Sequence, residues 1–114
     1  MVTLFGIPNC DTMKKARKWL ADHNIDYEFH DYKKAGIDKA TLVKWEKQVG
    51  WETLLNRRGM MWRKLSEEQK QTINRDNAIA IMLEIPSIIK RPVLVNGKQM
   101  LVGFDETQYQ SLFG

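Results

Sequence analysis

Apolar and polar positions at the start of the chain follow two different periods. Residues 2–5 form a short apolar run bounded by Gly6 and Pro8, which is typical of a strand buried on both faces. Apolar residues then recur at helical spacing and predict a helix from about Thr12 to His23. In IDYEFHDY, residues 25–32, apolar and polar residues alternate and predict a second strand. A strand, a helix and a strand in this order predict a right-handed βαβ unit with parallel strands.

The middle of the chain, from Asp38 to about Ile85, has no strand pattern and predicts helices. Asp38 is the expected N-cap of the first helix, which ends at Gly50. The capping-box spacing of Ser66 to Gln69 opens a second helix, and Asp76 is the expected cap of a third. The central segment is therefore predicted to be a helical insertion.

Strand patterns return near the end of the chain. PVLVNGKQMLVG contains two apolar runs around Asn96-Gly97, the strongest short signal for a hairpin. Asp105 then caps a final helix, and Phe104 is expected to pack on Tyr109. The order βαβ, helices, ββα predicts an α/β protein with a thioredoxin-like fold and a four-stranded mixed sheet. We expect one domain, 1–114, with the helical insertion at about residues 38–85.

Composition and charge exclude several classes of protein. The 114 residues are 43% hydrophobic and 28% charged, which is ordinary for a globular domain. The net charge is +4, because 14 acidic residues offset most of the basic residues, many of which occur in pairs. This positive excess is too small to indicate direct nucleic-acid binding, and we expect none. No window approaches about eighteen apolar residues, and the start lacks a signal-peptide pattern, so no membrane association is expected. With one cysteine, a reducing, cytoplasmic location is expected.

The only cysteine, Cys10, stands where the first strand gives way to the first helix. The free N–H groups of a first helical turn favour an anion and should lower the pKa of a thiol placed there. Lys14 adds positive charge, and Thr12 could donate its hydroxyl to the sulfur or to a ligand. The alternative is an inert small residue in a tight turn. We favour a reactive thiolate.

Met13 occupies the position at which a second, resolving cysteine would lie. Any disulfide formed by Cys10 would therefore be a mixed one, with a small thiol such as glutathione or with a client protein. The sequence predicts a monothiol site. With one cysteine and no ligand spacing among the two histidines, no metal site is expected.

Three arginines are candidates for binding an anion near the thiol. Arg91 precedes Pro92 at the start of a predicted strand, where thioredoxin-like folds place a cis-proline beside the thiol. If this bond is cis, Arg91 turns toward Cys10 and could bind a carboxylate or the thiolate. The alternative is an edge-strand proline among solvated charges. Arg57 and Arg58 lie in the insertion and become anion contacts only if it folds over Cys10.

Three stretches carry a resemblance to a known family: GIPNCDTMKKARKWL, LLNRRG and IIKRPVLVNGKQMLVGFDE. In this order and spacing the chain resembles the arsenate reductase (ArsC-like) family over nearly its whole length, and within it the Spx/YffB-type branch, closest to YffB-like proteins. The resemblance implies a thioredoxin-like fold with a helical insertion. It also implies that Cys10 is the nucleophile, Arg91 the arginine before the cis-proline, and Arg58 the insertion arginine, with Arg57 beside it.

The departures from the family pattern bear on function. Arsenate reductases of this family carry a histidine where this chain has Gly6, and a third arginine where it reads LVGFDE. Members that bind RNA polymerase usually carry a CxxC motif where it reads CDTM.

The resemblance to YffB-like members, which share the single cysteine, implies a glutathione-dependent monothiol oxidoreductase with glutathione as cosubstrate and no bound cofactor. A client protein disulfide is the other possible partner. The substrate or glutathione contacts would be Thr12, Lys14, Arg57 and Pro92, beside the catalytic set Cys10, Arg58 and Arg91. An Spx-like regulator that binds RNA polymerase is the second hypothesis, and a glutathione- and glutaredoxin-linked arsenate reductase is the third.

Overall fold

The computed structural model describes all residues, 1–114, and contains one four-stranded sheet. None of its helices is both long enough and apolar enough to cross a membrane. In chain order the elements are β1 (Val2–Gly6), α1 (Asp11–Asp22), β2 (Tyr27–Asp31), α2 (Tyr32–Ala35), α3 (Lys39–Val49), α4 (Trp51–Leu54), α5 (Met60–Arg63), α6 (Glu67–Gln71), α7 (Arg75–Glu84), a 3-10 turn (Pro86–Ile88), β3 (Val93–Asn96), β4 (Gln99–Val102) and α8 (Glu106–Phe113).

The sheet has the order β2-β1-β3-β4 and mixes parallel and antiparallel pairs. β1 runs parallel to β2 and antiparallel to β3, and β4 pairs with β3 as a hairpin. These pairings confirm the predicted βαβ and ββα halves on one sheet. Asn96 pairs with Gln99, so Gly97 and Lys98 form the hairpin loop, one residue later than the Asn96-Gly97 signal. Gly97 has φ of 63°, a conformation that favours glycine.

The first of two compact units comprises residues 1–32 and 91–114. Its core lies between one face of the sheet and helices α1 and α8. The helical spacing predicted for α1 is confirmed, because the residues that carry it, Met13, Ala16, Trp19 and Leu20, are buried. The core cluster consists of Val2, Leu4, Met13, Ala16, Trp19, Leu20, Leu94 and Tyr109.

The second compact unit is the helical segment 33–90. Leu42 and Trp45 of α3 are buried, as are Ile79 and Met82 of α7, and the two helices pack against each other. Leu55 forms an isolated antiparallel bridge with Ile89. Sequence periodicity gives no sign of this bridge, because it joins single residues 34 positions apart rather than two alternating runs.

Helix caps agree with the sequence at three positions and disagree at one. Asp38, Ser66 and Asp105 cap α3, α6 and α8 through side-chain hydrogen bonds to first-turn N–H groups, and Ser66 forms a full capping box. The prediction that Asp76 caps α7 is wrong, because Asn74 accepts the capping bond. Asp76 lies inside the first turn, where its negative charge still suits the helix N-terminus.

Candidate active site around Cys10

The site is built at one edge of the sheet, where β1 and β2 end and β3 begins. Gly6, the last residue of β1, is paired with Asp31 of β2, and Phe5 lies opposite Val93 of β3. Four residues after Gly6, Cys10 is the N-cap of α1, with extended backbone angles of φ −132° and ψ 131°. The parallel βαβ connection therefore delivers the thiol to the same edge as the Arg91–Pro92 segment, which directly precedes β3.

The Cys10 thiol is partly buried and its pKa is lowered from its ordinary value. Burial raises the pKa, but it is outweighed by the Met13 N–H, the Arg91 guanidinium and the Thr12 N–H, all of which favour the thiolate. The thiol makes no formal capping hydrogen bond. A neutral thiol is a weak acceptor, whereas a thiolate accepts strongly from the second and third N–H groups of the helix. Deprotonation therefore completes the cap.

Arg91 contributes both a hydrogen bond and a positive charge to Cys10. The Arg91–Pro92 peptide bond, which the residues alone left open, is cis as the family resemblance implies, and Pro92 is buried. Arg91 itself is only partly exposed. A guanidinium presents several N–H groups in a fixed fork, so one arginine can contact a thiolate and bind an incoming carboxylate with its remaining donors.

Thr12 and Lys14 occupy the first turn of α1 in different ways. The backbone N–H of Thr12 is the group that faces the sulfur, and the Thr12 side chain lines a cleft of about 630 Å³. Lys14 is exposed, and its N–H donates the first helical hydrogen bond to the Cys10 carbonyl at 3.0 Å. The cleft continues along α1 to the start of α8 and is lined by Thr12, Lys15, Lys18, Trp19, Asp22, Phe104 and Glu106.

Arg57 and Arg58 belong to the second compact unit and have different surroundings. The Arg57 guanidinium lies over the rings of Trp51 and Trp62, at 5.2 and 5.7 Å from the ring centroids. These cation–π contacts give Arg57 a packing role within its own unit. Arg58 forms no ion pair and lines a basic cleft of about 410 Å³ together with Glu52, Leu55, Asn56, Arg57 and Lys90.

Two features of the site were not anticipated from the sequence. Gly6 is buried beneath Met13, and a side-chain Cβ at position 6 would overlap the Met13 sulfur and lie 2.8 Å from its terminal methyl. Tyr32 directly follows β2 and is only 3% exposed, with its ring against those of Phe5 and His30 at 6.4 and 6.1 Å. The sequence position of Tyr32 could have indicated its place near the site. It directly follows a strand that is parallel to β1, and parallel neighbouring strands end at the same edge of the sheet.

The lowered pKa of Cys10 makes folding stability depend on pH. The unfolded thiol has a pKa of about 8.5. Between the lowered folded value and the unfolded one, the unfolded chain binds one proton more, so the free energy of unfolding rises with pH. This contribution is complete above the unfolded pKa and is lost as pH falls through the folded one. We therefore expect wild type to become more stable relative to Cys10→Ser as pH rises, when the free energies of unfolding of both proteins are measured in urea.

The variant removes only this titration, so other groups cancel in the difference. Serine is itself a good N-cap, so a constant offset between the two proteins carries no information. A difference that stays constant across pH would contradict a depressed pKa at Cys10.

Comparisons with known proteins extend over nearly the whole chain. The family model described as the ArsC family matches residues 5–112. The structure of the YFFB (PA3664) protein is 49% identical and superposes with a TM-score of 0.96 over the full length of both chains. An arsenate reductase (ArsC) related protein from Brucella melitensis is 53% identical, with a TM-score of 0.79 over 98% of this chain and 93% of that one.

Similarity also reaches a regulator of transcription. The global transcriptional regulator Spx of Streptococcus agalactiae is 27% identical over 113 residues, which cover 97% of this chain and 82% of that protein. The matched residues include the strand–helix junction with Cys10, the helical segment and the Arg91–Pro92 strand start, in one thioredoxin-like fold. The chain belongs to the ArsC family.

Proposed function

We propose that this protein is a glutathione-dependent monothiol oxidoreductase that reduces mixed disulfides through Cys10. The observation that carries the proposal is that the thiol, at the N-cap position of α1, lies beside Arg91 and two backbone N–H groups, which together lower its pKa. The lowered pKa increases the fraction of thiolate, which is the nucleophile of disulfide exchange. With Cys10 as the only cysteine, the second thiol of the reaction comes from outside the chain.

The reaction proceeds in two exchanges. The Cys10 thiolate attacks the glutathione sulfur of a glutathionylated client, which forms a Cys10–glutathione disulfide and releases the client thiolate. A second glutathione thiolate then attacks the glutathione sulfur on Cys10, which forms glutathione disulfide and restores the Cys10 thiolate. In the net reaction the client sulfur is reduced from disulfide to thiol and one free glutathione is oxidised, while the other half of the glutathione disulfide is the glutathione that was already bonded to the client. The proton lost when the attacking glutathione forms its thiolate balances the proton taken up by the released client thiolate. Glutathione is thus the cosubstrate, and no bound cofactor is required.

The charges around the thiol suit a substrate that carries carboxylates. Arg91 places a guanidinium beside the sulfur, and a guanidinium is the side-chain group that binds carboxylates best. The cleft that begins at Thr12 has a volume within the usual range for small-molecule sites, and Lys15 and Glu106 give it both signs of charge. Such a lining is compatible with a peptide that has both ammonium and carboxylate groups. Lys14, exposed in the same first turn, adds positive potential.

The test is turnover of a glutathionylated peptide with glutathione in excess. We expect wild type to release the peptide thiol catalytically and to carry one glutathione when trapped by acid and examined by mass spectrometry. Cys10→Ser should lose both the turnover and the adduct, because a serine hydroxyl is not ionised at neutral pH. Circular dichroism and urea unfolding of the variant are the controls for its folding. Equal turnover by wild type and Cys10→Ser would refute the proposal.

The similarity to Spx supports a second candidate, a regulator that binds RNA polymerase. Met13 stands at the place of the second cysteine of a CxxC motif, so control by an internal disulfide is not available to this chain. Recovery of RNA polymerase subunits from lysate with immobilised protein, equally with wild type and Cys10→Ser, would favour this candidate.

For the oxidoreductase we place the protein in the cytoplasm, where glutathione is kept reduced.

A further inference from the structure

Tyr32 lies at the same edge of the sheet as Cys10 and Arg91. The register pairs Gly6 with Asp31, so Tyr32 is level with residue 7, one position beyond the end of β1. Phe5 is opposite Val93, the first residue of β3, so the Arg91–Pro92 segment that precedes β3 reaches the same end of the sheet from the other side of β1.

The Tyr32 hydroxyl is buried and has no hydrogen-bond partner in the protein. A buried hydroxyl without a partner is destabilising, and a phenylalanine of the same shape would avoid the penalty. The site around Tyr32 carries positive charge, because the Arg91 guanidinium lies close enough to act on the phenol. Burial nevertheless raises the pKa of Tyr32 far above its ordinary value, so the hydroxyl keeps its proton and is available as a neutral donor.

Tyr109 provides a comparison within the same unit. It is also buried and its hydroxyl also lacks a partner, but its ring packs on Trp19 and Phe104 in the core. Burial alone raises its pKa, and no charged group acts on it. The two tyrosines therefore share burial and an unpartnered hydroxyl, and they differ in the cation beside one of them.

We propose that the Tyr32 hydroxyl and the Arg91 guanidinium form a binding site for a carboxylate of the thiol or disulfide substrate beside Cys10. The neutral hydroxyl and the guanidinium both donate hydrogen bonds, which is the arrangement a carboxylate with two oxygens accepts. Because the Tyr32 hydroxyl is neutral, it favours an anionic substrate without placing a second charged group beside the thiolate. The inference rests on the proposed oxidoreductase function, since it names the group by which that substrate is held.

The test measures binding of S-methylglutathione, which carries both carboxylates and cannot react, by isothermal titration calorimetry. We expect Tyr32→Phe to bind about tenfold more weakly than wild type, as for loss of one hydrogen bond to a charged group. Tyr109→Phe, the matched control, should bind as wild type does. The diethyl ester of S-methylglutathione, which has no carboxylate, should bind equally to wild type and Tyr32→Phe.

Urea unfolding of the free proteins separates a binding role from a structural one. Tyr32→Phe should be as stable as wild type or more stable, because it removes a buried hydroxyl that has no partner in the free protein. A less stable Tyr32→Phe, or equal affinity of Tyr32→Phe and wild type for S-methylglutathione, would overturn the proposal. Absence of any binding by wild type would also overturn it.

Failure of the proposed function leaves a different signature. If wild type binds S-methylglutathione but does not reduce a glutathionylated peptide, the oxidoreductase proposal fails and the binding comparison still decides the role of Tyr32. If wild type turns over the peptide while Tyr32→Phe matches it in binding, only the carboxylate site is refuted.

Discussion

Replacement of Arg91 by alanine should raise the pKa of Cys10 and slow its reaction with iodoacetamide at pH 7 by roughly tenfold, the value of one hydrogen bond to a charged group. The reason is that the variant keeps the burial that disfavours the thiolate but loses the guanidinium's hydrogen bond and charge. The Met13 and Thr12 N–H groups would remain. The measurement is the pH dependence of alkylation, followed by mass spectrometry of the single cysteine.

Two variants make this experiment specific. Arg17→Ala is the matched control, because Arg17 donates to the Tyr27 hydroxyl at 2.9 Å and lies over the Phe29 ring, and it does not act on Cys10. Arg91→Lys keeps a charge but not the planar fork, so it should fall between wild type and Arg91→Ala. At high pH, Arg91→Ala should react at least as fast as wild type, because a more basic thiolate is the stronger nucleophile. An alkylation midpoint shared by all four proteins would contradict the role of Arg91.

Gly6→Ala should destabilise the protein by about 1–3 kcal/mol, and Met13→Ala by about 2–5 kcal/mol. The first change inserts a methyl group into space that the buried Met13 thioether already fills. The second empties that space and leaves a cavity in the core of the first unit. The double variant should be more stable than the sum of the two changes predicts, because each relieves part of the other's defect.

Urea unfolding of the four proteins at one pH gives the coupling energy between the two positions. We expect a favourable coupling of about 1 kcal/mol or more, as for residues in direct contact. Strictly additive effects would show that Met13 moves aside at no cost and that the two residues are independent.

This packing relates two of the three departures from the family pattern that the resemblance identified, those at positions 6 and 13. Position 6 is where arsenate reductases of the family carry a histidine, and position 13 is where CxxC members carry their second cysteine. In this chain a glycine at one position makes room for the long side chain at the other. With Gly6 and Met13 at these positions, the chain has neither the histidine nor the second cysteine, and Cys10 is the only thiol beside a well-packed core.

Local sequence was sufficient for most of the fold, because strand periods, caps and the hairpin signal act within a few residues of each other. The β1–α1–β2 unit, the β3–β4 hairpin and the caps at Asp38, Ser66 and Asp105 are all of this kind. The Asp76 prediction failed because Asn74, two residues earlier, offers an equally good capping side chain, and the pattern does not rank the two. The four-residue helices α2, α4 and α5 are too short to have a measurable period.

The lowered pKa of Cys10 could be predicted from its position, since a strand that leads into a helix places the thiol at first-turn N–H groups that its own neighbours supply. The cis Arg91–Pro92 bond required the fold as well, because it is meaningful only once β3 is known to lie beside β1. The buried, unpartnered hydroxyl of Tyr32, the cation–π contacts of Arg57 with two tryptophans and the fit of Met13 over Gly6 depend on what surrounds each side chain. Burial and packing are set by residues far apart in the chain, so no local pattern encodes them and the folded structure had to supply them.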